Sequence, residues 1–312
     1  MISDIKNHLE IVIVTYKRAI LLQKTIAALC ESPFAQCRIT VLNNASTDNT
    51  LEVCNSYRDK LSNLFVITHK ANIGGNANIL RAIETSNGKY TWVLADDDEY
   101  GFSDCDDLLE AIIKEKSDLI HVGAHADVSW DLGGSFDAPR ELIKKGYSFF
   151  RFSSFLPCNI FKTKSFYPYL ISGYENIINL YPHMPFLMSF YELDKKIYIT
   201  KNRIVRAVIG NQEYSSRDFI MGWLNTSLLL SDKRDRILMF RDQFIKKNDN
   251  NNFYFPLRSL HDMKRYKISV ANHFRLFGVF GFSLSVILWP FYCFYKKTRK
   301  IYKKVKMLND SK

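Results

Sequence analysis

The chain has 312 residues, 47% of them hydrophobic, which suits one large domain, or one and a half, with a substantial core. Six scattered cysteines (Cys30, Cys37, Cys54, Cys105, Cys158, Cys293) show no CxxC spacing, which argues against a zinc site or a disulfide framework and fits buried thiols in a reducing compartment. Net charge is +11, but residues 1–257 carry 30 basic and 30 acidic side chains, so the whole excess lies in 258–312: a neutral body with a basic appendage.

The start, MISDIKNHLEIVIV, lacks a basic segment followed by a long apolar run and a small-residue cleavage site, so no secretory leader is expected. Glu10–Thr15 (EIVIVT) is a continuous β-branched run that suits a strand buried on both faces. Ala19–Leu29 places Ile20, Leu21, Leu22, Ile26 and Leu29 at near-helical spacing. Arg38–Leu42 is a second strand, Thr50–Leu61 a second helix, Leu64–His69 a third strand, Ala77–Thr85 a third helix and Tyr90–Ala95 a fourth strand. Later, Leu108–Lys114 reads as helix and Asp118–Val122 as strand. Asp127–Gly146 reads as a loop insertion, Tyr174–Tyr191 as a helix broken near Pro182 and Pro185, and Lys196–Gly210 as strand.

Strand–helix alternation with short links predicts an α/β domain with a mostly parallel sheet. Such sheets bind ligands beyond the carboxyl ends of their strands. Four polar segments, TYKR, NNASTD, NIGGN and ADDDE, each follow a predicted strand and should converge on one edge. In the last of them Asp96, Asp97 and Asp98 stand side by side. Hard divalent cations take carboxylate oxygens and bridge them to a substrate's phosphates. The other reading of three such residues is solvated acids at the positive start of a helix.

IVIVTYKR, VLNNASTDNT, NIGGNANILRAI and YTWVLADDDE, in that order and spacing, resemble an inverting family 2 glycosyltransferase of the GT-A fold, of the bacterial surface-polysaccharide type. The resemblance covers about the first third of the chain. It implies a GT-A-like, mostly parallel sheet with flanking helices, followed by a C-terminal hydrophobic and basic helical extension. The expected organisation is a nucleotide-sugar half at 1–105, an acceptor half of the same domain at 106–257, and, from its apolar and basic tail, a membrane-associating region at 258–312. The resemblance also implies a nucleotide-sugar donor held by Thr15, Tyr16, Arg18, Asn44, Asn72, Gly74, Asn78, Asp96 and Asp97, with Tyr16 beside the base. Many members have Asp at the position of Asn44; the amide can still pair with a pyrimidine edge, and its other reading is a turn residue in NNAS. Many members also have Arg where this chain has Ala77. Asp48 reads as a helix cap. By the resemblance Asp98 is the direct ligand of Mn²⁺ or Mg²⁺, with Asp96 or Asp97 on the ribose or a metal-bound water. The Glu-Asp pair that supplies the family's base is not found in GYENIINLYPHMPFL; His183 stands nearest its place, with Glu175 in reserve. The alternative for His183 is a packing histidine.

Phe277–Tyr295 carries no charge and KKTRKIYKKVK follows it. Its length permits a bilayer span. A single span with cytoplasmic lysines would, however, put the body on the side away from nucleotide sugars. The expectation is an interfacial anchor on anionic lipid, with helix packing or an oligomer contact as the alternative. No nucleic-acid fold motif accompanies the basic tail, so a nucleic-acid partner is not expected. The sequence therefore predicts a metal-dependent inverting transferase, cytoplasmic and peripheral on the inner face of the cell membrane. It would act from a UDP-sugar onto a hydroxyl of a lipid-linked or surface-glycan acceptor. The alternative is an inactive scaffold of a membrane-bound glycan assembly complex. A nucleotidyltransferase or a dinucleotide-binding oxidoreductase would need glycines after the first strand that TYKRAI lacks.

Overall fold

The computed structural model describes residues 2–124, 133–208, 216–242 and 269–310. The chain divides into two compact units, Met1–Ser215 and Ser216–Lys312. The boundary expected at 257/258 lies outside the described residues.

In the first unit β1 (Leu9–Thr15), α1 (Ala19–Cys30), β2 (Arg38–Asn43), α2 (Thr50–Ser56), β3 (Leu64–Thr68), α3 (Gly75–Thr85) and β4 (Tyr90–Ala95) alternate as expected. Then come β5 (Glu99–Tyr100), α4 (Asp106–Ile113), β6 (Leu119–Ala124), β7 (Gly134–Phe136), α5 (Pro139–Lys144), α6 (Phe149–Ser154), β8 (Asn159–Lys162), α7 (Thr163–Phe166), α8 (Leu170–Glu175), α9 (Met184–Glu192) and β9 (Ile197–Arg206). The main path of the sheet runs β3-β2-β1-β4-β8-β6-β9-β5, with β7 also on β9. β3, β2, β1 and β4 are parallel; β8 pairs antiparallel with both β4 and β6. Beyond β4 the sheet is mixed.

Register fixes the site. Thr15 lies opposite Asn43, Asn43 opposite Thr68, and Val14 opposite Ala95. The four strands end almost in one row, so the loops after them share one edge. Their interiors are apolar because the sheet is covered on both faces: Ile11, Val12, Ile13, Val41, Leu42, Val93 and Leu94 are fully buried. Trp92 anchors one side, edge-on to Phe34 at 5.6 Å, with its indole N–H donating to the Pro157 carbonyl at 2.8 Å. Glu10 is buried inside β1, and its charge is met by Thr40 Oγ1 (2.7 Å), Arg38 Nε (3.2 Å) and the Asn87 N–H (2.7 Å).

Three boundaries differ from the sequence reading. α2 stops at Ser56, whose hydroxyl bonds back to the Val53 carbonyl at 2.8 Å and competes with the helix ladder. The break expected near Pro182 and Pro185 in the 174–191 helix is present but wider, since residues 176–183 separate α8 from α9, and Pro185 sits in the first turn of α9, where its missing N–H costs nothing. Of the loop expected at 127–146, residues 127–132 lie outside the described residues, and 133–146 hold β7 and α5.

The second unit contains α10 (Ser216–Ser227), α11 (Lys233–Asp242) and α12 (Val270–Asp310). Trp223 Nε1 of α10 donates to the Met239 carbonyl of α11 at 3.0 Å. α12 is broken at Gly278 (φ 71°, ψ −179°), a backbone state that only glycine adopts without strain. The pieces Val270–Val279 and Gly281–Thr298 meet at 112°.

Candidate active site

The loops after β1, β2, β3 and β4 enclose a cavity of about 290 Å³. Thr15, Tyr16, Arg18, Asn44, Asn72, Gly74, Asn78, Asp96 and Asp97 all line it, so the structure brings together the nine residues that the sequence assigns to the donor. A second cavity of about 260 Å³ lies between α1 and the triple aspartate, lined by Leu21, Lys24, Thr25, Asp98, Tyr100 and Val208 among others. Asp96 and Asp97 line both cavities; Asp98 lines only the second.

The three aspartates are not equivalent. Because Ala95 ends beside Val14, Asp96 falls next to Thr15, whose hydroxyl donates to its Oδ2 at 2.6 Å. Arg18 reaches Asp96 Oδ1 at 3.3 Å and Asp97 Oδ2 at 2.6 Å. Burial pushes the Asp96 carboxyl up to about 6, against the opposing pull of Thr15 and Arg18. Asp97 is 41% exposed and shares its charge with Arg18 and water. Asp98 turns the other way, where its Oδ1 accepts the Val208 N–H at 3.3 Å. Burial, then the negative charge of Asp97, pushes its carboxyl up to about 7. These are desolvated oxygen donors with less cationic compensation than they need, which is the environment a hard divalent cation relieves. Among the described residues no three His, Cys, Asp or Glu groups converge on one point. The donor set therefore fits Mn²⁺ or Mg²⁺ held by one or two carboxylates of the chain and otherwise by phosphate and water, the usual arrangement for magnesium.

The opposite wall of the first cavity is an amide lock. Asn44, 1% exposed, donates from Nδ2 to Asn72 Oδ1 (2.8 Å) and accepts the Ile73 N–H on Oδ1 (2.9 Å). Asn72 Oδ1 also accepts the Gly74 N–H at 2.8 Å. Gly74 has φ 86° and leads into α3, so the turn needs glycine at this point. The turn role considered for Asn44 belongs to Asn43, whose Oδ1 accepts the Ser46 N–H at 2.9 Å. Asn78 is tied by Nδ2 to the Leu42 carbonyl (3.1 Å) and by Oδ1 to His69 Nε2 (2.9 Å). Asp48 joins two helix starts, accepting Thr50 Oγ1 at 2.6 Å and the Ala19 N–H at 3.0 Å.

Neither residue considered as base lines either cavity. His183 stands at the start of α9, 3% exposed, with Nε2 donating to the Ser153 carbonyl at 2.9 Å and a buried Nδ1. Burial pushes its imidazole down to about 4, which makes it a poor proton acceptor at neutral pH. The structure thus gives His183 the packing role. Beside it His121, also driven down by burial, to about 3, pairs with Tyr147, Asn159 and Ser153. Glu175 is an exposed residue ending α8.

Sequence reasoning passed over Thr25, whose hydroxyl donates to the Asp96 carbonyl at 3.3 Å, and Lys24 on the second cavity. Arg18, Leu21, Leu22, Thr25 and Ala28 fall at helical spacing, and that periodicity would have put Thr25 on the site face of α1. Left-handed backbone at Lys17 (φ 52°) and Ala45 (φ 60°) shapes the first two loops, and neither residue type signals it.

A family model described as glycosyl transferase family 2 matches residues 10–155, the stretch that supplies every donor-cavity residue named above. Residues 10–155 are thus similar to glycosyl transferase family 2. A protein of Escherichia coli strain K12, named as an uncharacterised glycosyltransferase, YibD, is 30% identical over 95 residues; the match covers 30% of this chain and 27% of that relative. The chain thus spans about a quarter of the length of the curated relative it matches. Among solved structures, S. aureus TarS 1-349 in complex with UDP-GlcNAc is similar at TM-score 0.58 and 16% identity, over 90% of this chain and 89% of that one. The same protein in complex with UDP gives TM-score 0.56 over 85% and 80%. The likeness shows the shared GT-A fold of the family 2 domain.

Proposed function

We propose that this chain is an inverting, metal-dependent glycosyltransferase that takes a sugar from a nucleoside diphosphate, a UDP-sugar foremost, to a hydroxyl of a lipid-linked or surface-glycan acceptor in the cytoplasm. One observation carries the reading. The loops after four parallel strands line one cavity whose walls are Tyr16 and the Asn44–Asn72 lock on one side and the buried Asp96 carboxylate with the more exposed Asp97 on the other. An aromatic face and amide edges suit a base and ribose; carboxylates suit a cation that carries a diphosphate. Uridine finds support in the UDP-bound TarS structures that share the fold.

Asp98, with Asp96, would hold Mn²⁺ or Mg²⁺. When bound, that ion neutralises the diphosphate and stabilises it as a leaving group. The chain's own residues fix the geometry. Thr15 and Arg18 orient Asp96, Thr25 holds its backbone, and Asn78 pins α3 against the end of β2.

A thermal-shift panel of nucleotide sugars, each with and without Mn²⁺, tests the donor. A ligand at about a hundred times its Kd stabilises the folded state by about 2.7 kcal/mol, which raises Tm by roughly 5–10 °C for a unit of this size. The same panel is then run for transfer or hydrolysis. If no nucleotide sugar shifts Tm or is turned over, the proposal fails. Donor binding without turnover would favour the inactive-scaffold alternative.

A further inference from the structure

Beyond its break at Gly278, α12 turns large apolar side chains outward. A helix of a water-soluble protein turns its apolar stripe inward and its polar face to solvent. Here Ser285 (2% exposed) and Tyr292 are buried, with Leu288 half-buried, at helical spacing. The outward face carries Leu284, Val286, Ile287, Trp289, Phe291 and Phe294, with Ile287 at 65%, Phe291 at 72% and Phe294 at 70% exposure. A contiguous apolar face of this size is a docking surface, not ordinary scatter.

Its neighbours select the occupant. Lys296, Lys297, Arg299, Lys300, Lys303, Lys304 and Lys306 follow at once, with no acidic residue before Asp310. A second copy packed parallel against this face would juxtapose two such basic runs, and one packed antiparallel would offer each run no acidic side chain from 277–309 as a complement. An anionic bilayer offers both complements: hydrocarbon for the apolar face and phosphate for the basic run. Among the described residues no single helix is long and apolar enough to cross a membrane, and the 112° bend at Gly278 turns Gly281–Thr298 away from the preceding piece. Trp289 and Tyr295, both exposed, have the apolar body and polar tip suited to the headgroup level.

We propose that the Gly281–Thr298 segment lies in the plane of an anionic membrane surface, its Ile287–Phe291–Phe294 face in the acyl boundary and the basic run on the headgroups. The proposal stands on this face alone and would hold if the donor reading failed. It puts the catalytic body beside a lipid-linked acceptor.

Co-sedimentation of the full chain with phosphatidylcholine vesicles, with and without phosphatidylglycerol and at low and high salt, tests it. The chain should pellet with the anionic vesicles and be released in part by salt. The exposed double substitution Phe291→Asp with Phe294→Asp should weaken binding at least about tenfold with an unchanged melt. Lys297→Glu, Arg299→Glu and Lys300→Glu together should remove the preference for anionic over neutral vesicles. Asp98→Ala should bind like wild type. Equal binding to both vesicle types without salt dependence would overturn the electrostatic half. No vesicle binding by a monomer would overturn the whole, as would an oligomer in light scattering that Phe291→Asp dissociates.

Discussion

Replacing His183 by Gln separates a packing histidine from a base. Burial holds its imidazole down at about 4 in the folded chain, against about 6.5 when unfolded. Between those values the unfolded chain binds a proton that the folded chain refuses. This contribution to stability is therefore intact above pH 6.5 and is lost as pH falls toward 4. The gap is worth about 3 kcal/mol in full, and about 2 kcal/mol of it is gone by pH 5.

 Gln keeps an N–H for the Ser153 carbonyl but does not titrate. The variant should therefore lose stability to packing near pH 7.5, and lose about 2 kcal/mol less near pH 5. Asp96 and Asp98, raised by burial, titrate in the opposite sense and gain stability as pH falls from about 7 toward 4, but both proteins carry them, as they carry His121, so the difference isolates His183. Urea unfolding of wild type and variant at both pH values gives the four free energies needed. A difference that does not change with pH would refute the buried, neutral imidazole. A fall of about 10²–10⁴ in transfer rate at unchanged donor affinity would restore the base role.

Asp98→Ala should cut transfer by at least about 10²-fold while the fold persists, read by turnover against circular dichroism; turnover near the wild-type rate would remove Asp98 from the site. Thr15→Val removes the hydroxyl that meets the buried Asp96 carboxylate at 2.6 Å, and a lost hydrogen bond to a charged group costs about 1.5–3 kcal/mol in chemical denaturation. Asn44→Asp sets a carboxylate against Asn72 Oδ1, which already accepts the Gly74 N–H. It should cost about 1–3 kcal/mol and weaken nucleotide binding by calorimetry. Gly278→Ala forces a Cβ to within 2.7 Å of Lys233 Nζ at φ 71°. It should destabilise the second unit by about 1–3 kcal/mol, measured by the quenching transition of the buried Trp223.

The donor edge was legible because its signals are local. EIVIVT, RITVL and YTWVLA are short β-branched or aromatic runs, and parallel register then carries the loops after them to one place. β8 was not legible as a strand. NIFK is four residues long and follows an aromatic helix, and only pairing with both β4 and β6 makes it one. His183 misled for a related reason. Its flanking prolines suggest a positioned turn, but its role is set by the Ser153 carbonyl, thirty positions away in the chain. The outward face of α12 was half legible: hydropathy and charge mark an apolar segment followed by a basic one, while the buried Ser285 and exposed Phe291 show which side faces out.

Three consecutive aspartates end a buried strand here because each has a different way of meeting its charge. Asp96 is braced by Thr15 on β1 and Arg18 before α1. Asp97 gives its charge to Arg18 and solvent. Asp98 is half-buried, feels Arg18 only at a distance, and accepts the Val208 N–H in the second cavity. Arg18 thus stands as a resident counter-cation for the two residues that line both cavities, and leaves the third poorly compensated. A divalent cation gains most where a carboxylate is desolvated and no arginine competes for it, which favours Asp98 over Asp97 as its ligand. Arg18→Ala should then separate the roles. Losing the guanidinium pushes the Asp96 carboxyl further up and weakens the first cavity for a diphosphate, so donor affinity falls. Mn²⁺ binding measured without nucleotide should hold, because Arg18 makes no direct ion pair with Asp98 and acts on it only as the smallest of the charges that shift it. Loss of Mn²⁺ binding together with nucleotide binding would show that Asp96 and Asp97, not Asp98, carry the cation.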